Sequence, residues 1–134
     1  MTAWVPPGCS RRRDDDFDRL YIQAFALTLA IELPIYGFVL TGRYQVGPLR
    51  ALALGLFINV VTHPNVWFVL QPLLAPSLGY LGYVAIAELF AWWVEAVLMW
   101  AWLRRDFRGL IALSLLANSA FYAFGALMMD LFAF

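Results

Sequence analysis

Charged residues are scarce in this sequence: Asp, Glu, Lys and Arg together make up 13% of its 134 residues, and the formal net charge is zero. A soluble domain carries about 25% charged residues, whereas 63% of this chain is hydrophobic. Such a chain lacks the polar surface that a water-soluble fold needs, so the composition predicts an integral membrane protein with a single domain. Nothing in the charge balance indicates a nucleic-acid partner.

Cysteine and histidine occur once each, as Cys9 and His63, and lysine does not occur at all. A single cysteine excludes an internal disulfide. No apolar run precedes Cys9, so this residue does not fit a lipoprotein signal. The first apolar run, from Leu20, is too long for the core of a signal peptide and has no small-residue cleavage site after it. We therefore interpret it as a retained membrane span.

Four apolar segments follow a polar N-terminal tail of residues 1–16. Each segment is near the ~20 residues that a helix needs to cross a bilayer, and glycine and proline mark the connections as short turns. The membrane part, residues 17–134, contains these segments at about 20–41, 50–71, 79–103 and 109–133. The pattern predicts an all-α polytopic membrane protein with four transmembrane helices in a compact bundle.

The arginines leave the orientation of the chain undetermined. With four crossings, one side receives four arginines: Arg11, Arg12, Arg13 and Arg19. The other side receives five: Arg43, Arg50, Arg104, Arg105 and Arg108. A second segment that is broken at Pro64 and re-entrant would leave three crossings and divide the arginines seven to two, which the positive-inside rule prefers. The length of that segment favours four crossings, because proline is tolerated in spanning helices.

Every apolar segment carries a strongly polar residue near its middle. All three glutamates lie in apolar segments, and the predicted midplane cluster consists of Glu32, Asn59, His63, Glu88, Glu95 and Asn118. Helical spacing puts Asn59 and His63 on one face, and Glu88 and Glu95 on another. A charge at the bilayer centre costs about 2.5–3.5 kcal/mol on insertion scales. We therefore expect these side chains to face a common interior instead of lipid.

The cluster allows several interpretations. It could be structural, with hydrogen bonds between helices worth about 0.6 kcal/mol each. It could bind a metal at His63, Glu88 and Glu95, although one histidine and no HExxH or ExxH pair give this weak support. It could relay protons or ions, or hold a pigment or haem with His63 as the axial ligand. The sequence has no G-x-S-x-G motif and no activated nucleophile, so nothing indicates an enzyme.

Two prolines and a basic loop complete the candidate features. Pro34 and Pro64 follow Glu32 and His63 closely, and a kink there would free backbone carbonyls beside the titratable groups, as at transporter sites. A basic loop after the third segment is predicted to contact lipid headgroups or a partner protein through Arg104, Arg105 and Arg108.

Four short motifs in this order resemble a group of small, uncharacterised four-helix membrane proteins of bacteria and archaea. The motifs are Glu32-Leu33-Pro34, Asn59 to Pro64, Glu88 with Glu95, and Ala117-Asn118-Ser119. The resemblance covers most of the membrane part but not the tail. It implies that these polar residues belong to one site, and it implies no activity.

The predicted extramembrane part is very small, which favours an accessory or structural subunit of a larger membrane assembly. Its partners would be lipid and other membrane subunits or further copies of itself, and the expected location is the prokaryotic cytoplasmic membrane. The alternative is a carrier that binds a proton or an ion at Glu32, His63, Glu88 and Glu95.

Overall fold

The computed structural model describes residues 9–132. In this range the chain forms α-helices and one short π-helical segment, and no strand. The helices are α1 (Cys9–Gly42), α2 (Pro48–Asn65), the π-helical segment Val66–Leu70, α3 (Gln71–Leu103) and α4 (Phe107–Phe132). Three stretches of the described chain are long and apolar enough to cross a membrane: Asp14–Gly42, Pro48–Leu103 and Phe107–Gly125. The prediction of an all-helical membrane protein is confirmed at this level.

The longest of these stretches folds back on itself at Gly79. This residue has φ 71° and ψ 178° inside α3, a backbone region that is essentially restricted to glycine. A straight helix would put Thr62 and Glu95 about 50 Å apart at 1.5 Å per residue. Instead Thr62 Oγ1 lies 3.1 Å from Glu95 Oε1. Helix α2 and the part of α3 after Gly79 therefore lie side by side and run in opposite directions.

The described residues show neither a break at Pro64, which was the alternative to a spanning second segment, nor the turn predicted at residues 72–78. Pro64 lies inside α2, which continues through the π-helical segment into α3, so the proline does not break the second apolar segment. Residues 72–78, which glycine and proline marked as a turn, are helical up to the reversal at Gly79. In an apolar solvent each backbone N–H and C=O must be paired within the chain, so helix persists where a soluble chain would turn.

Helix α1 also begins earlier than the apolar pattern suggested. Residues 9–16 of the predicted polar tail have helical backbone and continue directly into the membrane part. The remainder of the tail, residues 1–8, lies outside the described residues.

Buried apolar side chains from every helix meet at one end of the molecule. This apolar core includes Tyr36, Leu40, Ala51, Leu54, Ile58, Met99, Leu110, Leu113 and Ala117. Helices α1 and α2 approach closely there, because a Cβ added at Gly55 would lie 3.0 Å from Leu33 Cδ2. The outer faces carry apolar residues instead of charges, such as Phe38, which is 83% exposed. This is the surface that a lipid environment requires.

The two connectors, residues 43–47 and 104–106, are joined at the end of the molecule beside this core. Asp106 Oδ2 accepts hydrogen bonds from the Tyr44 hydroxyl at 2.9 Å and from Arg43 Nη2 at 3.2 Å. The Gly109 amide donates to Asp106 Oδ1 at 3.2 Å, and the Arg105 guanidinium donates to the Tyr44 carbonyl. The three donors to Asp106, the Tyr44 hydroxyl above all, hold the pKa of its carboxyl group below its usual range. We call this group the connector latch.

Candidate functional site

A cavity of about 290 Å³ lies between the helices, bounded on one side by the apolar core. Its polar lining comes from α1, α2, α3 and α4, and includes Thr28, Glu32, Asn59, Thr62, His63, Gln71, Glu88, Glu95 and Asn118. All six members of the predicted midplane cluster are among these residues. The structure thus brings them to the wall of one cavity, and their function stays a prediction.

Glu95 is the centre of a hydrogen-bond network at the bottom of this cavity. It is 1% exposed. Its Oε2 lies 2.5 Å from the Tyr36 hydroxyl on α1 and 2.7 Å from Asn118 Nδ2 on α4. Thr62 Oγ1 on α2 lies 3.1 Å from Oε1, and Ser114 Oγ on α4 lies 3.3 Å from Oε2. One carboxyl group therefore connects the other three helices.

Two of these four contacts are shared with the backbone. The hydroxyls of Thr62 and Ser114 carry one hydrogen each, and each also lies 3.0 Å from a backbone carbonyl oxygen. The amide of Asn118 carries two hydrogens and reaches both Glu95 and the Ser114 carbonyl, the latter at 2.9 Å. Tyr36 and Asn118 are therefore the dedicated donors to Glu95. These two hydrogen bonds give the Glu95 carboxyl group a structural role, because they join α3 to α1 and α4.

Glu32 lines the same cavity but has a different environment. It is 2% exposed, and among the described residues its Oε2 has no hydrogen-bond partner. A buried polar group without a partner costs about 1–3 kcal/mol, and more if it is charged. Glu32 lines the cavity, and its unpaired oxygen needs a hydrogen atom or a positive charge that the described residues do not supply.

His63 lies against aromatic rings at another part of the cavity wall. Its ring centroid is 5.0 Å from that of Phe25, 5.4 Å from Tyr21 and 6.1 Å from Trp67. Its Nδ1 is buried, as is Gln71 Oε1, and neither atom has a partner within residues 9–132. Three residues of the cavity wall thus each carry a buried polar atom that the described part of the protein leaves unpaired.

The π-helical segment Val66–Leu70 positions this part of the wall. It follows His63 and Pro64 directly, and His63, Trp67 and Gln71 all line the cavity. Proline has no amide hydrogen to donate within the helix, and π-helical turns occur frequently at functional sites. The π-helical turn thus lies within the part of the chain that forms this side of the cavity wall.

The three predicted metal ligands do not form a metal-binding group. Among the described residues, no three His, Cys, Asp or Glu side chains lie close enough together to hold one ion. His63, Glu88 and Glu95 each line the cavity. Glu95, however, accepts hydrogen bonds from Tyr36 and Asn118, and His63 packs against aromatic rings. A pigment or haem with His63 as its one axial ligand stays a prediction.

The three arginines that were predicted to contact headgroups or a partner lie at the connector end, away from the cavity. Arg105 belongs to the connector latch. The Arg104 guanidinium lies 5.3 Å from the ring centroid of Trp100, and Arg108 is exposed. Arg105 therefore has a partner within the chain, while external contacts for Arg104 and Arg108 stay a prediction.

Several residues of the site were not singled out in the sequence. Tyr36 follows Glu32 by one helical turn and so shares its face, which is a signal that spacing alone could have provided. Gln71 lies beyond the π-helical segment, where α-helical spacing no longer applies. Comparisons with protein-family models, with curated proteins and with solved structures give no match. The functional argument therefore depends on the geometry of the cavity.

Proposed function

We propose that the chain is a cation-binding carrier whose four helices cross the prokaryotic cytoplasmic membrane as a bundle. The reversal at Gly79 supports four crossings, because it divides the stretch Pro48–Leu103 into two antiparallel arms. Each arm exceeds the ~20 residues that a crossing needs. This topology would place the cavity between all four helices and within the membrane.

The unpaired oxygen of Glu32 is the observation that carries the functional proposal. It is a buried hydrogen-bond acceptor, and the wall around it offers further acceptors, including the carboxylate of Glu88 and the amide oxygen of Gln71. The described lining contains no arginine, and the chain has no lysine. Such a wall favours a ligand that donates hydrogen bonds or carries positive charge, and it disfavours an anion.

An accessory subunit is the second candidate. The connectors 43–47 and 104–106 are short, and large apolar residues cover the outer faces, such as Phe38 and Leu49, which are 83% and 81% exposed. A partner subunit could cover these faces, but lipid covers them equally well. The unpaired oxygen of Glu32 belongs to the cavity wall between the helices, which an outer partner would not cover, so the carrier is preferred.

Cation binding to the full chain in lipid nanodiscs tests the proposal. The probes are potassium, methylammonium and butylammonium chloride at constant ionic strength, and the readout is the thermal unfolding temperature. We expect at least one cation to stabilise the protein, since a ligand at 100 times its Kd adds about 2.7 kcal/mol. Glu32→Gln should weaken that binding at least about tenfold, because the amide replaces one acceptor with a donor.

The matched control is Asp18→Asn, which removes the same charge at an exposed position outside the cavity. It should bind as the wild type does. A protein that no cation stabilises, or a Glu32→Gln variant that is stabilised as strongly as the wild type, would contradict the carrier. Stoichiometric copurification of other chains together with such a result would favour the accessory subunit. Uptake of labelled methylammonium into proteoliposomes then distinguishes transport from binding alone.

A further inference from the structure

An apolar groove lies on the outer side of the protein, between α4 and the part of α3 after Gly79. Its volume is about 470 Å³, and its apolar wall is formed by Leu81, Val84, Ala85, Leu89, Trp92, Leu115 and Ala123. The groove is open to the surroundings, because Leu81 is 77% exposed and Leu89 is 53% exposed. In a membrane this opening faces the hydrocarbon of the lipids.

The groove and the polar cavity share part of their walls. Val84, Glu88, Asn118 and Tyr122 line both spaces. Glu88 is the only acidic residue in the described wall of the groove, and it is only partly buried. A molecule that entered the cavity from the groove would have to pass between these shared residues, and Glu88 is the carboxyl group among them.

We propose that the ligand is an amphiphilic amine that enters sideways from the bilayer. Its ammonium group would bind in the cavity at Glu88 and Glu32, and its hydrocarbon chain would lie in the groove between α3 and α4. This inference depends on the proposed cation binding, and it adds the chemical class of the ligand and its route of entry.

The polar part of the cavity matches an ammonium head group. A primary ammonium carries three donors and no acceptor. The cavity offers it the Glu88 carboxylate and the unpaired Glu32 Oε2 and Gln71 Oε1. The aromatic rings of Trp67 and Tyr83 also line the space, and aromatic faces attract cations.

The size and polarity of the two spaces favour an amphiphile over a bare ion. A cavity of about 290 Å³ is close to the lower limit of small-molecule sites, about 300 Å³, and a single metal ion would leave most of it empty. The adjoining groove is mostly apolar and so offers nothing to an ion. An alkyl chain fills the groove without leaving a polar group unpaired.

A photoreactive dodecylamine tests both the ligand class and the position of its chain. The full-length protein in nanodiscs is irradiated, and the labelled residues are identified by mass spectrometry. We expect labelling within 81–92 and 115–123, competed by unlabelled dodecylamine but not by dodecanoate. Uniform labelling of the lipid-facing surface, or equal competition by dodecanoate, would overturn the inference.

Two tryptophan variants examine the groove directly. Ala85→Trp fills the groove and should weaken dodecylammonium binding at least about tenfold while leaving butylammonium binding unchanged. Ile86→Trp introduces the same side chain at a neighbouring exposed position outside the groove, and should bind dodecylammonium as the wild type does. Ala123→Trp, which enters the groove from α4, provides a second filled variant if Ala85→Trp does not fold.

The outcomes separate this inference from the proposed function. One outcome is that butylammonium binds, while the wild type and Ala85→Trp bind dodecylammonium with equal affinity. Cation binding then stands, and the inference of an amphiphilic ligand is wrong. If potassium binds to the wild type and neither amine does, cation binding stands and the amphiphilic amine is wrong. If no cation binds to the wild type, both proposals are wrong. Loss of dodecylammonium binding in Glu88→Gln, with normal binding in Ile86→Trp, supports the route past the carboxyl group.

Discussion

Glu32 and Glu95 are the same residue type at nearly the same burial, yet their surroundings differ. Glu95 has dedicated donors from Tyr36 and Asn118, whereas Glu32 has an oxygen without a partner among the described residues. Composition and depth in an apolar segment cannot distinguish the two. The distribution of donors around each carboxyl group separates a residue that maintains the fold from one that is available to a ligand.

Glu95→Gln should destabilise the protein by about 1–3 kcal/mol, because the new amide donor faces the donors of Tyr36 and Asn118. Glu32→Gln should cost less than half as much, since the side chain it replaces has an unused acceptor. Thermal unfolding of both variants in the same detergent measures the difference. Equal destabilisation by the two substitutions would show that the Glu95 network does not hold the helices together.

The sequence predicted part of this site. Helical spacing placed Glu88 and Glu95 on one face, and both line the cavity. The same reasoning brought His63 to the cavity, but it did not predict the aromatic rings around it. Tyr21 and Phe25 lie on α1, and Trp67 lies in the π-helical segment. Contacts between helices depend on how the helices pack, and a single sequence does not specify this.

At the scale of helices, the contribution of the Gly79 backbone conformation to stability can be measured separately from side-chain packing. A Cβ at this position meets nothing within 4 Å, so Gly79→Ala changes the backbone alone. Its φ of 71° and ψ of 178° cost a residue with a side chain about 1–3 kcal/mol. We expect a lower unfolding temperature for Gly79→Ala.

Gly42→Ala is the control for this substitution, because a Cβ there also meets nothing and the residue ends α1 with ordinary helical backbone. It should leave the unfolding temperature nearly unchanged. If both variants melt alike, the reversal does not depend on the backbone freedom of glycine.

Asp106 in the connector latch should make the free energy of unfolding depend on pH. Its folded-state pKa lies below the unfolded value of about 3.9. The stabilisation is therefore present above the unfolded pKa and is lost as the pH falls through the folded-state pKa. At about pH 6 the unfolding temperature of Asp106→Asn should be lower than that of the wild type. This difference in unfolding temperature should become smaller as the pH falls below about 4.

Asp18→Asn makes the same change of charge outside the latch. Its difference in unfolding temperature from the wild type should not become smaller at low pH. Melting curves of the three proteins at both pH values make the comparison. A gap for Asp106→Asn that is the same at both pH values would mean that the carboxylate is not stabilised by the latch.

The element boundaries show why turns were harder to predict than spans. The apolar segments were recognised from length and hydropathy, which depend on the membrane as solvent. The segment 72–78 was expected to be a turn because Pro72, Pro76 and Gly79 mark turns in soluble chains, where water pairs with freed backbone groups. Here only Gly79 reverses the chain, and the two prolines are accommodated within helix.

At the scale of the whole molecule, the number of crossings determines which ends of the protein share a side. Single cysteines at positions 15, 45, 77 and 108 in a Cys9→Ser background can be labelled with an impermeant maleimide in intact cells. With four crossings, positions 15 and 77 should label from one side, and positions 45 and 108 from the other. Position 108 labelling together with position 15 would instead support a re-entrant second segment.

The apolar core separates the cavity from the end of the molecule that carries the connectors. Tyr36, Leu40, Leu54, Met99 and Leu110 close this end, each at most 1% exposed. A layer of this kind is an electrical insulator, because an ion cannot leave water for a closed apolar core. In an energised membrane it would keep the three glutamates of the cavity from forming a leak towards the connectors.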